Sequence, residues 1–278
     1  MKNKNFIIFA HGRSGSNSFA NILQNHPKIK ILYEPFNKKW QKKDKPSLIP
    51  EIEKIKDITS LEKYLKIVYK ENQGIKHLFE QTNEEFNKHL LKNKNYKIIF
   101  LTRKNILKSI ISKEIALKIK IWDTWKTPKE ELKKLTLNHQ FTQFSTKKLR
   151  IELYELKNNI KKYKKFLTKN KILFFEVIYE ELYDSKKPLK EKLEKIQEIF
   201  EFLGYERIND SKIIEKIKEN FDPNKRKMND FETYHSIPNI LEIEKKLSNK
   251  KNGFLFNLKE KLKISQIKLK KIKQKLKN

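Results

Sequence analysis

The chain reads as an α/β protein, a mainly parallel central sheet flanked by helices with a basic helix added at its C-terminal end. Three observations predict this. Short, uninterrupted apolar runs of strand length recur along the sequence, helical periodicity fills the intervals between them, and a glycine- and serine-rich turn joins the first run to the first helix. Right-handed crossovers are expected for such an order of elements.

The first run, Phe6 to Ala10, has the texture of a strand buried on both faces. His11-Gly12-Arg13-Ser14-Gly15-Ser16-Asn17-Ser18 follows, after which Phe19, Ile22 and Leu23 share one helical face. Past Pro27, the alternation of Ile29, Ile31 and Tyr33 predicts a second strand stopped by Glu34-Pro35 and lying beside the first. Residues 39–73 are charged and predicted helical from about Leu61, and Gly74 to Phe79 is strand-like, the whole forming a crossover with an insertion. Tyr96 to Leu101 is the next strong strand and runs into Thr102-Arg103; Ile106, Ile110, Ala116 and Leu117 then form an apolar stripe on the following helix. One long helical region is expected over 129–168, a buried strand over Ile172 to Phe175, and a helix over Leu189 to Leu203 closed by Gly204. The tail repeats Leu255, Leu258, Leu262, Ser265, Leu269, Ile272 and Leu276 at steps of three and four through a lysine-rich background. The division expected is a domain over 1–254 and an amphipathic helix over 255–278, which would dock on the domain, pair with another chain or lie on an anionic bilayer.

Composition limits the function. Phe, Ile and Leu supply 83 of the 278 residues, well above the roughly 20% apolar floor below which so charged a chain stays disordered. The chain has no cysteine, which removes disulfide scaffolds, thiolate zinc sites and cysteine nucleophiles together. A net charge of +31 invites nucleic acid or an anionic surface, yet only five of the 65 basic residues are arginine. Nucleic-acid readers rely on arginine for bidentate and stacked contacts, so the charge reads as a lysine-rich solvated surface and nucleic acid is not the expected partner. No run approaches the roughly 18–20 apolar residues of a membrane span, and Phe6 to Ala10 is too short for a signal-peptide core. A soluble cytoplasmic protein is expected, with peripheral contact to the inner membrane face through 255–278 left open.

In a parallel sheet, ligands gather outside the carboxyl ends of the strands, where the first helix aims its free N–H groups and positive dipole end. Gly12 to Ser18 lies at that place. Gly12 and Gly15 free the backbone to turn amides toward an anion, Ser14, Ser16 and Ser18 bring hydroxyls, and Arg13 brings a planar fork of donors. A phosphate-type ligand suits this loop. It is not a Walker A sequence, because the glycines are too close and no lysine precedes Ser16 or Ser18; nor does the strand Tyr96 to Leu101 deliver an aspartate for magnesium. The six histidines form no metal-ligand spacing, and no metal is expected. His11 reads as a strand-exit residue filling a hydrogen-bonding gap, Trp40, Trp122 and Trp125 as packing residues, and Lys225-Arg226-Lys227 as a solvated charge run.

Arg13-Ser14-Gly15-Ser16-Asn17-Ser18 followed by Leu32-Tyr33-Glu34-Pro35 resembles the start of the carbohydrate sulfotransferases, of the N-acetylglucosamine/galactose 6-O and bacterial Nod-factor types. Leu101-Thr102-Arg103 with a serine on the next helix, and Tyr179-Glu180-Glu181-Leu182 followed by Phe200 to Gly204, continue the resemblance over about 5–205. It implies a P-loop-type sulfotransferase fold and, as sulfuryl donor, 3′-phosphoadenosine 5′-phosphosulfate (PAPS). By the same resemblance Gly12 to Ser18, Asn17 included, would hold the 5′-phosphosulfate. Arg103 with Ser112, or Ser109 one turn earlier, would hold the 3′-phosphate, and Glu34 would be the base.

With a reference pKa of about 4.3, Glu34 is ionised at neutral pH and suited to take the proton of an attacking hydroxyl. Arg13 and the loop amides would stabilise charge on the leaving phosphate. The acceptor expected is a saccharide or glycolipid. The competing readings are an atypical P-loop small-molecule kinase and a basic RNA- or anionic-membrane-binding protein.

Overall fold

The computed structural model describes residues 5–122, 129–221 and 229–275. Trp125, Leu276 and the run Lys225-Arg226-Lys227 lie outside the described residues. The chain groups into two compact units, Met1–Arg103 with Leu156–Arg226 and Lys104–Glu155 with Lys227–Asn278.

The first unit is built on five parallel strands, β1 (Asn5–Ala10), β2 (Ile31–Tyr33), β3 (Gly74–Leu78), β4 (Tyr96–Thr102) and β5 (Phe174–Ile178), in the order β2-β3-β1-β4-β5. Helix α1 (Ser16–Leu23) follows β1; α2 (Lys38–Asp44), α3 (Ile49–Glu53) and α4 (Ile58–Glu71) separate β2 from β3; α5 (Glu84–Lys92) leads to β4. Every residue from Phe6 to Ala10 is fully buried, as the uninterrupted apolar run requires. Phe6, Ile8 and Ala10 pack with Phe19, Ile22 and Leu23 of α1. On the opposite face the Phe9 ring meets Phe79 at 5.7 Å and Tyr163 at 5.0 Å. Burying one such phenylalanine contributes about 2–3 kcal/mol.

Three differences from the sequence expectations matter. First, β2 does not lie beside β1. Strand β3 comes between them, in register through Phe6 with Gly74 and Ile31 with Gly74. Gly74 permits this register, since a Cβ there would lie 2.2 Å from the Phe6 ring. Second, the expected helix over 129–168 is two, α6 having been Ile106–Ile119, α7 Lys129–Asn138 and α8 Thr146–Lys169. The break exists because Phe141 and Phe144 turn inward to bury their rings, and the Asn239 side chain clasps both the N–H and the C=O of Phe144. Third, the strand expected at Ile172 starts at Phe174, because the left-handed Lys171 and the bond from Ile172 N to Leu167 O complete the turn out of α8, leaving Leu173 exposed.

Beyond β5, α9 (Tyr179–Tyr183) and α10 (Leu189–Leu203) follow, and α10 ends at Gly204 with the predicted C-terminal bonds from Gly204 N to Glu201 O and Tyr205 N to Phe200 O. Helix α11 (Ser211–Asn220) closes the described part of this unit. The α4 helix begins at Ile58, ahead of the expected Leu61, because Asp57 and Ser60 form a reciprocal capping box.

The second unit contains α6, α7, the start of α8, α12 (Phe231–His235), α13 (Ile240–Leu247) and α14 (Leu258–Lys275). Of the stripe expected on α6, Ile106, Ile110 and Ala116 are buried, but Leu117 is 45% exposed. Leu107, Ile111 and Ile115, spaced by four, are buried as well. In the tail, Leu255 is buried, whereas Leu258 and Leu262 are exposed and Ile264 supplies the covered face of α14.

Candidate active site

The turn after β1 is shaped by two left-handed residues, Arg13 at φ 63° and Gly15 at φ 87°. For arginine this conformation is strained, and such strain concentrates at sites where the surrounding structure holds it for a purpose. Gly15 has a second constraint: a Cβ there would lie 2.4 Å from the Tyr179 ring, which stacks on Tyr183 at 4.6 Å. Arg103 completes this stack. Its guanidinium carbon lies 4.6 Å from the Tyr179 centroid, NH1 donates to the Arg13 carbonyl at 3.1 Å, and Nε is 3.8 Å from Glu180 Oε1. The end of β4 and the start of α9 therefore support the loop from below.

No side chain caps the start of α1, so its first-turn N–H groups are not consumed by a capping residue. Ser14 is fully buried and its Oγ has no hydrogen-bond partner. A buried hydroxyl left this way, above an uncapped helix start, suits an anionic oxygen. The Gly12 amide is already engaged and donates to Glu80 Oε1 at 3.1 Å. His11 Nδ1–H donates to the Gly12 carbonyl at 2.9 Å, and burial pulls the imidazole down to about 4, so the ring is neutral at pH 7. This fits the hydrogen-bonding role expected for it.

Glu34 follows β2 in the left-handed region, at φ 49°. Its N–H donates to Lys76 O at 2.7 Å, its carbonyl accepts from Asn37 N and from Gln41 Nε2, and Tyr64 OH donates to Pro35 O at 2.6 Å. These bonds offset the strained turn. The carboxylate is only slightly accessible and receives three donors: Lys76 Nζ on Oε1 at 2.5 Å, and Asn37 Nδ2 at 2.7 Å and Gln81 Nε2 at 2.6 Å on Oε2. Burial pushes this carboxyl up, but the Lys76 ammonium and the three hydrogen bonds outweigh it and hold Glu34 below the usual carboxylate range.

Lys76 was not among the residues the sequence singled out. It is 1% exposed in the middle of β3, donates to Asn17 Oδ1 at 2.6 Å as well as to Glu34, and sits 5.4 Å from the Tyr33 ring centroid. The available signal was a charge between Ile75 and His77 in a strand that pattern places inside the sheet; a lysine there needs a buried counter-charge. Because β3 separates β2 from β1, this lysine bridges the carboxylate to the first turn of α1. Gln81 and Asn37 carry no such signal, since amides at turns are ordinary.

Of the predicted residues, the structure brings together Gly12 to Ser18, Arg103 and, through Lys76, Glu34. Ser109 and Ser112 are buried in α6 of the second unit, where Ser112 Oγ accepts from Asn229 Nδ2 at 3.0 Å. Trp122 is exposed.

No protein-family model and no curated protein sequence matches this chain. Among solved structures, mouse sulfotransferase SULT7A1 complexed with PAP is similar at 18% sequence identity and a TM-score of 0.40, over 96% of this chain and 83% of that one.

Proposed function

We propose that the chain transfers a sulfuryl group from PAPS to a hydroxyl of a carbohydrate or glycolipid by in-line displacement, with Glu34 as general base. The observation that carries this reading is the contact series from Glu34 through Lys76 to Asn17, which fixes a buried carboxylate beside the uncapped start of α1 and the Arg13 loop. A candidate proton acceptor at the carboxyl end of β2 and a candidate anion site at that of β1 thereby flank β3.

The division of labour follows. Helix-start amides, the Ser14 hydroxyl and Arg13 bind the 5′-phosphate and stabilise charge growing on it as the donor's S–O bond breaks. Glu34, ionised at neutral pH and aligned by Asn37 and Gln81, removes the acceptor's proton as its oxygen attacks sulfur. Arg103, held against Tyr179, offers its remaining donors to the 3′-phosphate, a contact that ATP could not make. The motifs shared with the carbohydrate sulfotransferases support a saccharide acceptor.

The test is direct. Purified protein incubated with PAPS and glycan extracts should add a sulfonate mass to a saccharide, and Glu34→Gln should lower the rate by roughly 10² to 10⁴ while 3′,5′-adenosine bisphosphate still binds. Full activity in that variant refutes the assignment of the base. Tighter calorimetric binding of ATP–Mg²⁺ than of the bisphosphate would favour a kinase instead.

A further inference from the structure

Helix α14 starts at a reciprocal cap, in which Glu260 N donates to Asn257 Oδ1 at 3.0 Å and Asn257 N donates to Glu260 Oε2 at 2.7 Å. One side of the helix is anchored. Ile264 is buried, Lys261 Nζ lies 3.1 Å from Glu244 Oε1, and Lys263 Nζ lies 3.5 Å from Glu232 Oε1. The other side holds leucines in water: Leu258 is 77% exposed and Leu262, one turn on, 58%, with Ser265 exposed on the same line. At about 100° per residue these three positions share about 60° of arc, Lys259 and Lys261 stand on either side of it, and Ile264 lies more than about 100° from its centre. In the sequence the spacing runs on through Leu269 and Ile272.

The charge of the helix selects what covers this stripe. Eight of its 18 residues are lysine, and its one acid, Glu260, is engaged in the cap. A second copy of the chain would bring eight more lysines against the first set, a like-charge pairing that a narrow leucine line does not offset. A nucleic-acid backbone would meet the lysines and leave the leucines in water. A bilayer containing anionic phospholipid satisfies both, because leucines enter the boundary between headgroups and acyl chains while the flanking lysines extend their stems and keep their ammonium groups among the phosphates. We propose that α14 is a docking surface for an anionic phospholipid bilayer, lying in the plane of the headgroups with Leu258 and Leu262 inserted and the Ile264 side held on the protein.

The full chain, without PAPS, is sedimented with vesicles of phosphatidylcholine alone or with about one third phosphatidylglycerol, at near-physiological salt. Wild type should bind the mixed vesicles at least about tenfold more tightly than the neutral ones, and Leu258→Gln/Leu262→Gln should lose at least about tenfold on the mixed vesicles. Absence of the preference overturns the proposal. So does undiminished binding by the double variant, which would leave the net charge of +31 as sufficient cause. Leu258→Trp decides should the double variant not fold: relative to wild type, its emission should move to shorter wavelength on mixed vesicles and be quenched by acyl-brominated phosphatidylcholine, and an unchanged spectrum overturns the insertion. A dimer in sedimentation velocity that the leucine variant dissociates, or single-stranded RNA bound more tightly than the mixed vesicles and released by that variant, would give the stripe another occupant and equally overturn the proposal.

Discussion

Replacing Lys76 by methionine removes a buried ammonium without opening a large cavity. It leaves Glu34, 9% exposed, with two amide donors and no counter-charge. Breaking a buried pair from one side costs about 3–5 kcal/mol, because the remaining charge is stranded in a poorly solvated place. Glu34→Gln takes the carboxylate from the ammonium, which still meets Asn17 and the Tyr33 ring. In the double variant neither charge is stranded, and the loss should shrink to about 1–3 kcal/mol for an imperfectly paired amide. The double variant should therefore be about 2 kcal/mol more stable than Lys76→Met in urea denaturation at pH 7. The acid limb gives an independent check. Because Glu34 is held below its usual range, its contribution is complete above the unfolded value near 4.3 and disappears as pH falls through the lower folded value. In Lys76→Met burial acts without the ammonium, so the acid loss from Glu34 should shrink, protonation now relieving a stranded charge. Additivity of the single variants within about 0.5 kcal/mol would refute the reasoning.

Gly15→Ala must place a methyl 2.4 Å from a Tyr179 ring confined by Arg103 and Tyr183, at φ 87°, and should lose about 2–4 kcal/mol and most bisphosphate affinity. A wild-type melting curve and affinity would show that the ring is not fixed. His11 and His77, both fully buried and each lowered by that burial to about 4, take up protons only when the chain unfolds over the interval from 6.5 down to 4. Stability should be complete above pH 6.5 and fall below it by up to about 1.4 kcal/mol per pH unit for each; urea midpoints that stay level from pH 7 to 4.5 would contradict this. Arg103→Ala should weaken 3′,5′-adenosine bisphosphate at least tenfold more than adenosine 5′-phosphosulfate, and equal losses would leave Arg103 with loop support alone.

Local signals carried much of the architecture. A strand buried on both faces needs a continuous apolar run, and Phe6 to Ala10 supplies one. Gly204 ends α10 because it adopts a left-handed conformation with no side-chain penalty. The loop's residue types predict an anion site for similar reasons, since glycine, serine and arginine act within a few residues of one another. The helix break at 139–145 was hidden because Asn239, which fastens Phe144, comes from 95 residues away.

The sequence by itself determined the parallel α/β texture, the position of the phosphate-type loop and the candidate carboxylate. Only the tertiary structure decided that β3 separates β2 from β1, and with it that Lys76 stands between Glu34 and α1. The reason is physical. Strand order depends on which crossovers bury their apolar faces against which side of the sheet, and β2 and β3 are joined by three helices whose packing no short window records. A lysine in a strand shows only that a charge is present; whether that charge is solvated or paired is settled by a residue 42 positions away in sequence.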